Sequence, residues 1–137
     1  MKCFFYVTES FNWTAQPTNP TPTIKGQDVP LAWNYSLTAG ELFQSQTQYI
    51  IYWKKLDQST SNYDQIGAKI YFQVIGVISF IEPRTPRIVI DRSDEATLHI
   101  KDVRREDEGT YKIEFTLKTD GSVLAEQRVN LTVLGKR

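Results

Sequence analysis

Runs of β-branched and aromatic residues with period-two alternation recur along the chain, cut apart by Gly, Pro, Asn, Asp and Ser. No window sustains an apolar stripe at i, i+3, i+4, i+7. A chain patterned this way buries its apolar sets by stacking sheets, so the fold class is all-β. The runs predict strands at Phe4–Thr8, Phe11–Ala15, Asp28–Leu37, Gln48–Lys55, Lys69–Ile75, Val77–Ile81, Arg87–Asp91, Ala96–Ile100, Gly109–Lys118 and Val123–Leu134. That number suits a two-sheet sandwich. Pro17, Pro20 and Pro22 follow the Phe11 run, where either a plain loop or a proline-broken edge strand switching sheets fits. Thr119-Asp120-Gly121-Ser122 lies between two alternating runs, and Asp-Gly supplies the positive φ of a tight hairpin turn.

At 137 residues there is room for one domain, with residues 1–10 as an N-terminal arm or first strand, 11–134 as the domain and 135–137 as a tail. Sixteen Lys+Arg balance sixteen Asp+Glu, so no basic excess exists to release counterions from nucleic acid or to hold an anionic membrane. Nucleic acid is therefore not an expected partner. The longest nearly uncharged stretch, Ile70 to Ile81, falls short of the roughly 20 residues of a spanning helix, and no direct membrane insertion is expected. Cys3 is the one cysteine and His99 the one histidine, which excludes an internal disulfide and a soft-ligand metal cage.

Three of the five asparagines stand in Asn-X-Ser/Thr sequons, at Asn12-Trp13-Thr14, Asn34-Tyr35-Ser36 and Asn130-Leu131-Thr132. With 22 Ser and Thr in the chain, chance alone would give about one, so the excess favours secretion and glycosylation at Asn12, Asn34 and Asn130, against the cytosol to which cysteine poverty points. Met1-Lys2 precedes an apolar run, Cys3 to Val7, shorter than the ~7–15 residues of a signal-peptide core, and Met1 is read as an added start codon on a mature or trimmed chain.

From Leu98 the sequence reads Leu98-X-Ile100-X-X-Val103-X-X-X-Asp107-X-Gly109-X-Tyr111. This resembles the E–F corner of immunoglobulin-superfamily domains, where the tyrosine hydroxyl bonds back across the corner. Arg87 opens the preceding strand at the position where variable-type domains pair an arginine with that aspartate. Upstream, Gly26-X-X-Val29-X-Leu31-X-Trp33 is similar to the family's B strand, with Trp33 in place of the usual cysteine. The partner cysteine's position, two residues after Tyr111, holds Ile113, and the strand-C tryptophan of the family matches Trp53. The resemblance thus implies a core pinned by Trp33, Trp53 and Ile113. Burying these side chains offsets a bridge worth ~2–5 kcal/mol with ~1.5–3 kcal/mol for an aliphatic one. Two strand-sized segments between Trp53 and Arg87 imply an immunoglobulin-like sandwich of the variable type, with C′ and C″ strands. Lacking the disulfide, the chain also resembles the membrane-distal domains of the allorecognition receptors of colonial hydroids, which bind like to like.

Enzyme chemistry has no foothold. His99 alternates with apolar Leu98 and Ile100 and reads as a solvated strand histidine. The carboxylates Asp102, Glu106, Asp107 and Glu108 match no calcium loop and have Arg104 and Arg105 among them. No phosphate loop, nucleophile elbow or zinc-protease motif occurs, and no cofactor is expected.

What remains is a surface. The resemblance places strands G, F, C, C′ and C″ in one sheet, and positions out of phase with Trp53 and Tyr111 point away from the core. These are Tyr52, Lys54, Lys112, Glu114, Lys118, Leu124, Glu126 and Arg128. Tyr71 and Val74 join them from a C′–C″ segment that is apolar at both parities and carries no blunting charge before Glu82. A face of both signs can complement its own copy, with each lysine meeting a partner glutamate. The expected function is protein recognition on a cell-surface receptor ectodomain, in adhesion or self-recognition, with a second copy as partner. A carbohydrate-binding β-sandwich module, stacking sugars on Tyr52, Tyr71 or Phe72, is the alternative.

Overall fold

The computed structural model describes residues 11–37, 48–72, 77–81, 86–90, 96–117, 121 and 123–135, with the backbone alone at 37, 48, 71–72, 77–81 and 117. Ten strands are described: β1 (Phe11–Ala15), β2 (Thr21–Ile24), β3 (Val29–Leu37), β4 (Gln48–Asp57), β5 (Asn62–Phe72), β6 (Val77–Ile81), β7 (Ile88–Ile90), β8 (Ala96–Ile100), β9 (Gly109–Leu117) and β10 (Val123–Leu134). A turn of 3-10 helix, Arg105–Asp107, leads into β9. The predicted run Phe4–Thr8 lies outside the described residues.

The strands form two sheets, one ordered β1-β3-β8-β7 and the other β2-β10-β9-β4-β5-β6. Every pairing is antiparallel except β2 with β10. The proline-rich connection is therefore a sheet switch: β1 pairs with β3 in one layer, and the chain crosses to run beside β10 in the other. Pro22 is tolerated in β2 because, among the described residues, that strand is an edge and needs only one ladder.

Alternation decides what is buried. In β3, Val29, Leu31 and Trp33 are buried between exposed Pro30 and Ala32, and β8 answers with Ala96, Leu98 and Ile100. The second sheet contributes Tyr49, Ile51 and Trp53 from β4, Tyr111, Ile113 and Phe115 from β9, and Val129, Leu131 and Val133 from β10. The indole N–H groups of Trp33 and Trp53 are buried without a hydrogen-bond partner among the described residues, which subtracts ~1–3 kcal/mol apiece from what their burial gives. At one end an aromatic group closes the sandwich. Phe115 has ring centroids of Tyr49, Phe11 and Tyr35 at 4.4, 4.6 and 5.2 Å, so it ties β1 and β3 to β4 and β9.

β5 begins at Asn62, seven residues before the predicted start, because its first half pairs along β4 with polar residues facing out. There Gly67 leaves room for the facing layer: a Cβ would lie 2.8 Å from Cδ1 of Ile90 on β7.

Candidate recognition face and the corner that supports it

The corner below β9 is held by Asp107. Arg87 grips its carboxylate with two hydrogen bonds, Nη1 to Oδ2 at 2.6 Å and Nη2 to Oδ1 at 2.9 Å, and the Arg104 amide donates to Oδ2 at 2.7 Å. The Tyr111 hydroxyl donates to the Asp107 carbonyl oxygen at 2.5 Å. Burial raises the Asp107 pKa, but the Arg87 and Arg104 bonds outweigh it and hold the carboxyl below its ordinary value. Burial, then the Asp107 charge, pushes the Tyr111 phenol up, so it stays a neutral donor. Gly109 follows with φ +150°, and a Cβ there would meet the Lys55 stem at 3.3 Å. Its glycine is favoured by that backbone angle, since the flexible Lys55 stem could give way to a Cβ. Two of the other corner carboxylates are engaged too: Glu108 accepts from the Val133 amide at 2.8 Å, and Asp102 lies 3.8 Å from Arg104.

Across the six-stranded sheet, positions out of phase with the core make the outer face. From β4 come Ile50, Tyr52, Lys54 and Leu56, and β9 adds Lys112, Glu114 and Thr116, opposite Glu126 and Arg128 on β10. Like charges stand directly opposite each other here, Glu114 to Glu126 and Lys112 to Lys54 and Arg128. The arrangement is tolerable because opposite charges meet along the strands and on the diagonals. Glu114 receives Lys54 at 2.8 Å and Lys112 at 3.0 Å, while Glu126 receives Arg128 at 3.6 Å and Lys112 at 3.7 Å. Tyr63 crosses from β5 over this row: Lys112 Nζ sits 4.1 Å from its ring centroid, and Arg128 Nε donates to its hydroxyl at 3.0 Å. Burial raises the Glu114 pKa, but Lys54 and Lys112 overcome it and keep the carboxyl below its usual value.

Several expected face residues stand elsewhere. Leu124 is packed against the core, because a β-bulge between Val123 and Ala125 shifts the parity by one residue. Val123 is the exposed apolar residue at that rim instead, at 49%. Tyr71 pairs with Tyr49, so its register position belongs to the row of Ile51 and Trp53 rather than to that of Tyr52. Val74 and Lys118 lie outside the described residues, as do the side chains of residues 71–72 and 77–81. The lysines do not wait for a partner's glutamates, since the chain's own carboxylates already hold Lys54 and Lys112. Tyr52 is half-buried with the Lys54 ammonium 5.5 Å from its ring centroid, which occupies one face of the only aromatic side chain described among the three proposed to stack sugars.

Sequence reasoning missed Tyr63, which lay in a segment read as a loop. It also missed Lys69, which stands opposite Ile51 in the core-facing row and is 2% exposed with its side chain engaged. Ile50 and Ala68 are buried hydrophobics that stand apart from the core cluster. Both lie on the outer face, Ile50 opposite Ile70 and Thr116 and Ala68 opposite Tyr52.

No family model and no curated protein matches the sequence. Among solved structures, the extracellular domains of the voltage-gated sodium channel beta4 subunit superpose with a TM-score of 0.69 at 13% identity, covering 97% of this chain and 99% of that one. Murine CRIg gives 0.65 at 16% identity over 92% and 99% of the two chains. Domain 1 of VCBP3 from Branchiostoma floridae gives 0.65 at 16% identity over 93% and 97%. The fold is the variable-type immunoglobulin sandwich. In that fold's letters the β1-β3-β8-β7 sheet is A-B-E-D, and the outer face just described belongs to A′-G-F-C-C′-C″. The loss of the inter-sheet disulfide leaves this variable-type frame intact, with Trp33 and Ile113 both fully enclosed in the one core.

Proposed function

We infer that this is the recognition domain of a cell-surface receptor, working outside the cell in adhesion or self-recognition, and that it docks a second copy of itself through the outer face of the six-stranded sheet. No bond is made or broken. The observation that carries the reading is the state of that face: its charges are paired within the chain and its centre is closely packed before any partner arrives. A surface already ordered loses little conformational freedom on docking, and three cations set against two carboxylates offer little repulsion to an identical face. Tyr52 and Ile70, with Val123 at the rim, then supply the apolar contact. The sodium channel beta4 domains, which share the fold, form parallel homodimers that explain a role in cell-cell adhesion.

Sedimentation of the domain across concentration, paired with aggregation of beads coated with it, tests the reading. One small domain offers at most a standard interface, and many copies on a membrane add avidity, so a dissociation constant on the order of micromolar or weaker is expected. Tyr52→Ala should weaken it by roughly tenfold or more, as an aromatic near the centre does. A monomer at every concentration with dispersed beads overturns homophilic docking and leaves a different protein as partner. A monomer that binds a glycan array overturns protein recognition itself.

A further inference from the structure

The other outer face, that of the β1-β3-β8-β7 sheet, is marked differently. Asn12 lies on β1 between Phe11 and Trp13, which pack on the core, so its side chain points out and is exposed. Asn34 lies on β3 between buried Trp33 and core-packed Tyr35, and points out from the same sheet. The ladder pairs Asn12 with Ser36 and Asn34 with Ala15, so the two asparagines are diagonal neighbours on adjacent strands, about 7–8 Å apart. Two of the three sequons, separated by more than twenty residues of sequence, therefore converge on one patch of one face. The companion positions Thr14 and Ser36 are exposed.

Asn130, the third, is on the opposite face and at its far end. It pairs with Thr110, whose hydroxyl donates to its Oδ1 at 2.8 Å. Thr110 is six residues along β9 from Thr116, which pairs with Ile50, a separation of about 20 Å at the rise of a strand. A sugar at Asn130 would thus be rooted at the end of that face away from Ile50.

We propose that Asn12 and Asn34 both carry N-linked oligosaccharides, which coat the outer face of the β1-β3-β8-β7 sheet and leave the six-stranded sheet as the one open for docking. In the transfer, each amide Nδ2 bonds to the anomeric carbon of a polyprenyl-pyrophosphate-linked oligosaccharide. The bond from that carbon to the pyrophosphate oxygen breaks, and the amide loses one proton as the lipid pyrophosphate leaves with the electron pair. Paired sugars on neighbouring strands sterically forbid a protein from seating flat against this sheet. They also shield β1, which is an edge strand among the described residues.

The proposal rests on the extracellular reading but not on homophilic docking, and its test reads mass rather than association. The chain is secreted from a eukaryotic host behind an added signal peptide, treated with the amidase that releases N-glycans, and mapped by peptide mass spectrometry. Positions 12 and 34 are both expected to have been converted from asparagine to aspartate. Thr14→Ala and Ser36→Ala, each at an exposed site, should each remove the mass of one glycan from the intact protein. Unmodified asparagine at either position overturns the proposal, whatever the sedimentation shows. Enzymatic removal of the sugars from the folded protein should leave any self-association unchanged, and association abolished by that removal would place the contact on the glycosylated face and overturn the division of labour.

Discussion

Trp33 occupies the place where a relative of this fold would put half a disulfide, and it does a different physical job. A disulfide acts largely by restricting the unfolded chain, whereas an indole fills volume in the folded one. Its removal should therefore leave a cavity as well as lose apolar burial. Trp33→Ala is expected to lower unfolding free energy by ~3–5 kcal/mol in urea titrations, with the slope unchanged. A loss below about 1 kcal/mol would mean that the site collapses freely and the indole is not a filler. At this scale the sequence was legible where polarity and parity agree: Trp33, Leu31 and Val29 alternate with residues that face water. It was illegible at Lys69, whose parity is inward and whose chemistry reads as outward, because only its fixed tertiary surroundings make a buried ammonium tolerable.

Between strands, register governs more than composition does, and the β10 bulge shows it. Strict alternation from Val129 back to Val123 puts Leu124 on the outer face, but one extra residue in the strand turns Leu124 to the core and Val123 to solvent. Nothing in the local residues announces the bulge, since Val, Leu and Ala suit either face. The two neighbours should consequently respond oppositely to the same substitution. Leu124→Asp is expected to cost ~1–3 kcal/mol in unfolding free energy, as a carboxylate is forced against the core edge, while Val123→Asp should stay within ~0.5 kcal/mol of the parent. Equal losses would show that the parity does not slip. The same dependence on partners left β2 as one of two alternatives and hid the first half of β5: four residues with a proline, and a polar run of Asn, Asp and Gln, become strands because β10 and β4 offer ladders beside them. Long alternating runs such as β3, β9 and β10 announced themselves, and with them the two-sheet sandwich.

Over the whole molecule, two carboxylates knit separate parts of the fold, and both have depressed pKa values. Asp107 joins the start of β7 to the corner before β9, and Glu114 joins β9 to β4 on the outer face. A group whose folded pKa lies below its unfolded value binds fewer protons folded than unfolded through that window, so it adds stability above the unfolded value of about 4. That contribution is lost as pH falls through the folded pKa. Stability should accordingly change little on this account from pH 7 to about 5 and decline below about 4, even though the chain's net charge is zero at neutrality. Asp107→Asn isolates the corner. The amide cannot match both guanidinium donors or hold a charge, so the variant should be less stable at neutral pH by roughly 3 kcal/mol, the scale of breaking a buried pair. Because protonation does to the parent's Asp107 what the substitution does permanently, the two stability curves should converge as pH falls below 4, while the Glu114 contribution declines in both alike. Urea midpoints at half-unit steps from pH 7 to 3 measure this. Curves that stay parallel over the whole range would show that Asp107 keeps an ordinary pKa, and that the corner's strength comes from Tyr111 and the backbone rather than from the ion pair.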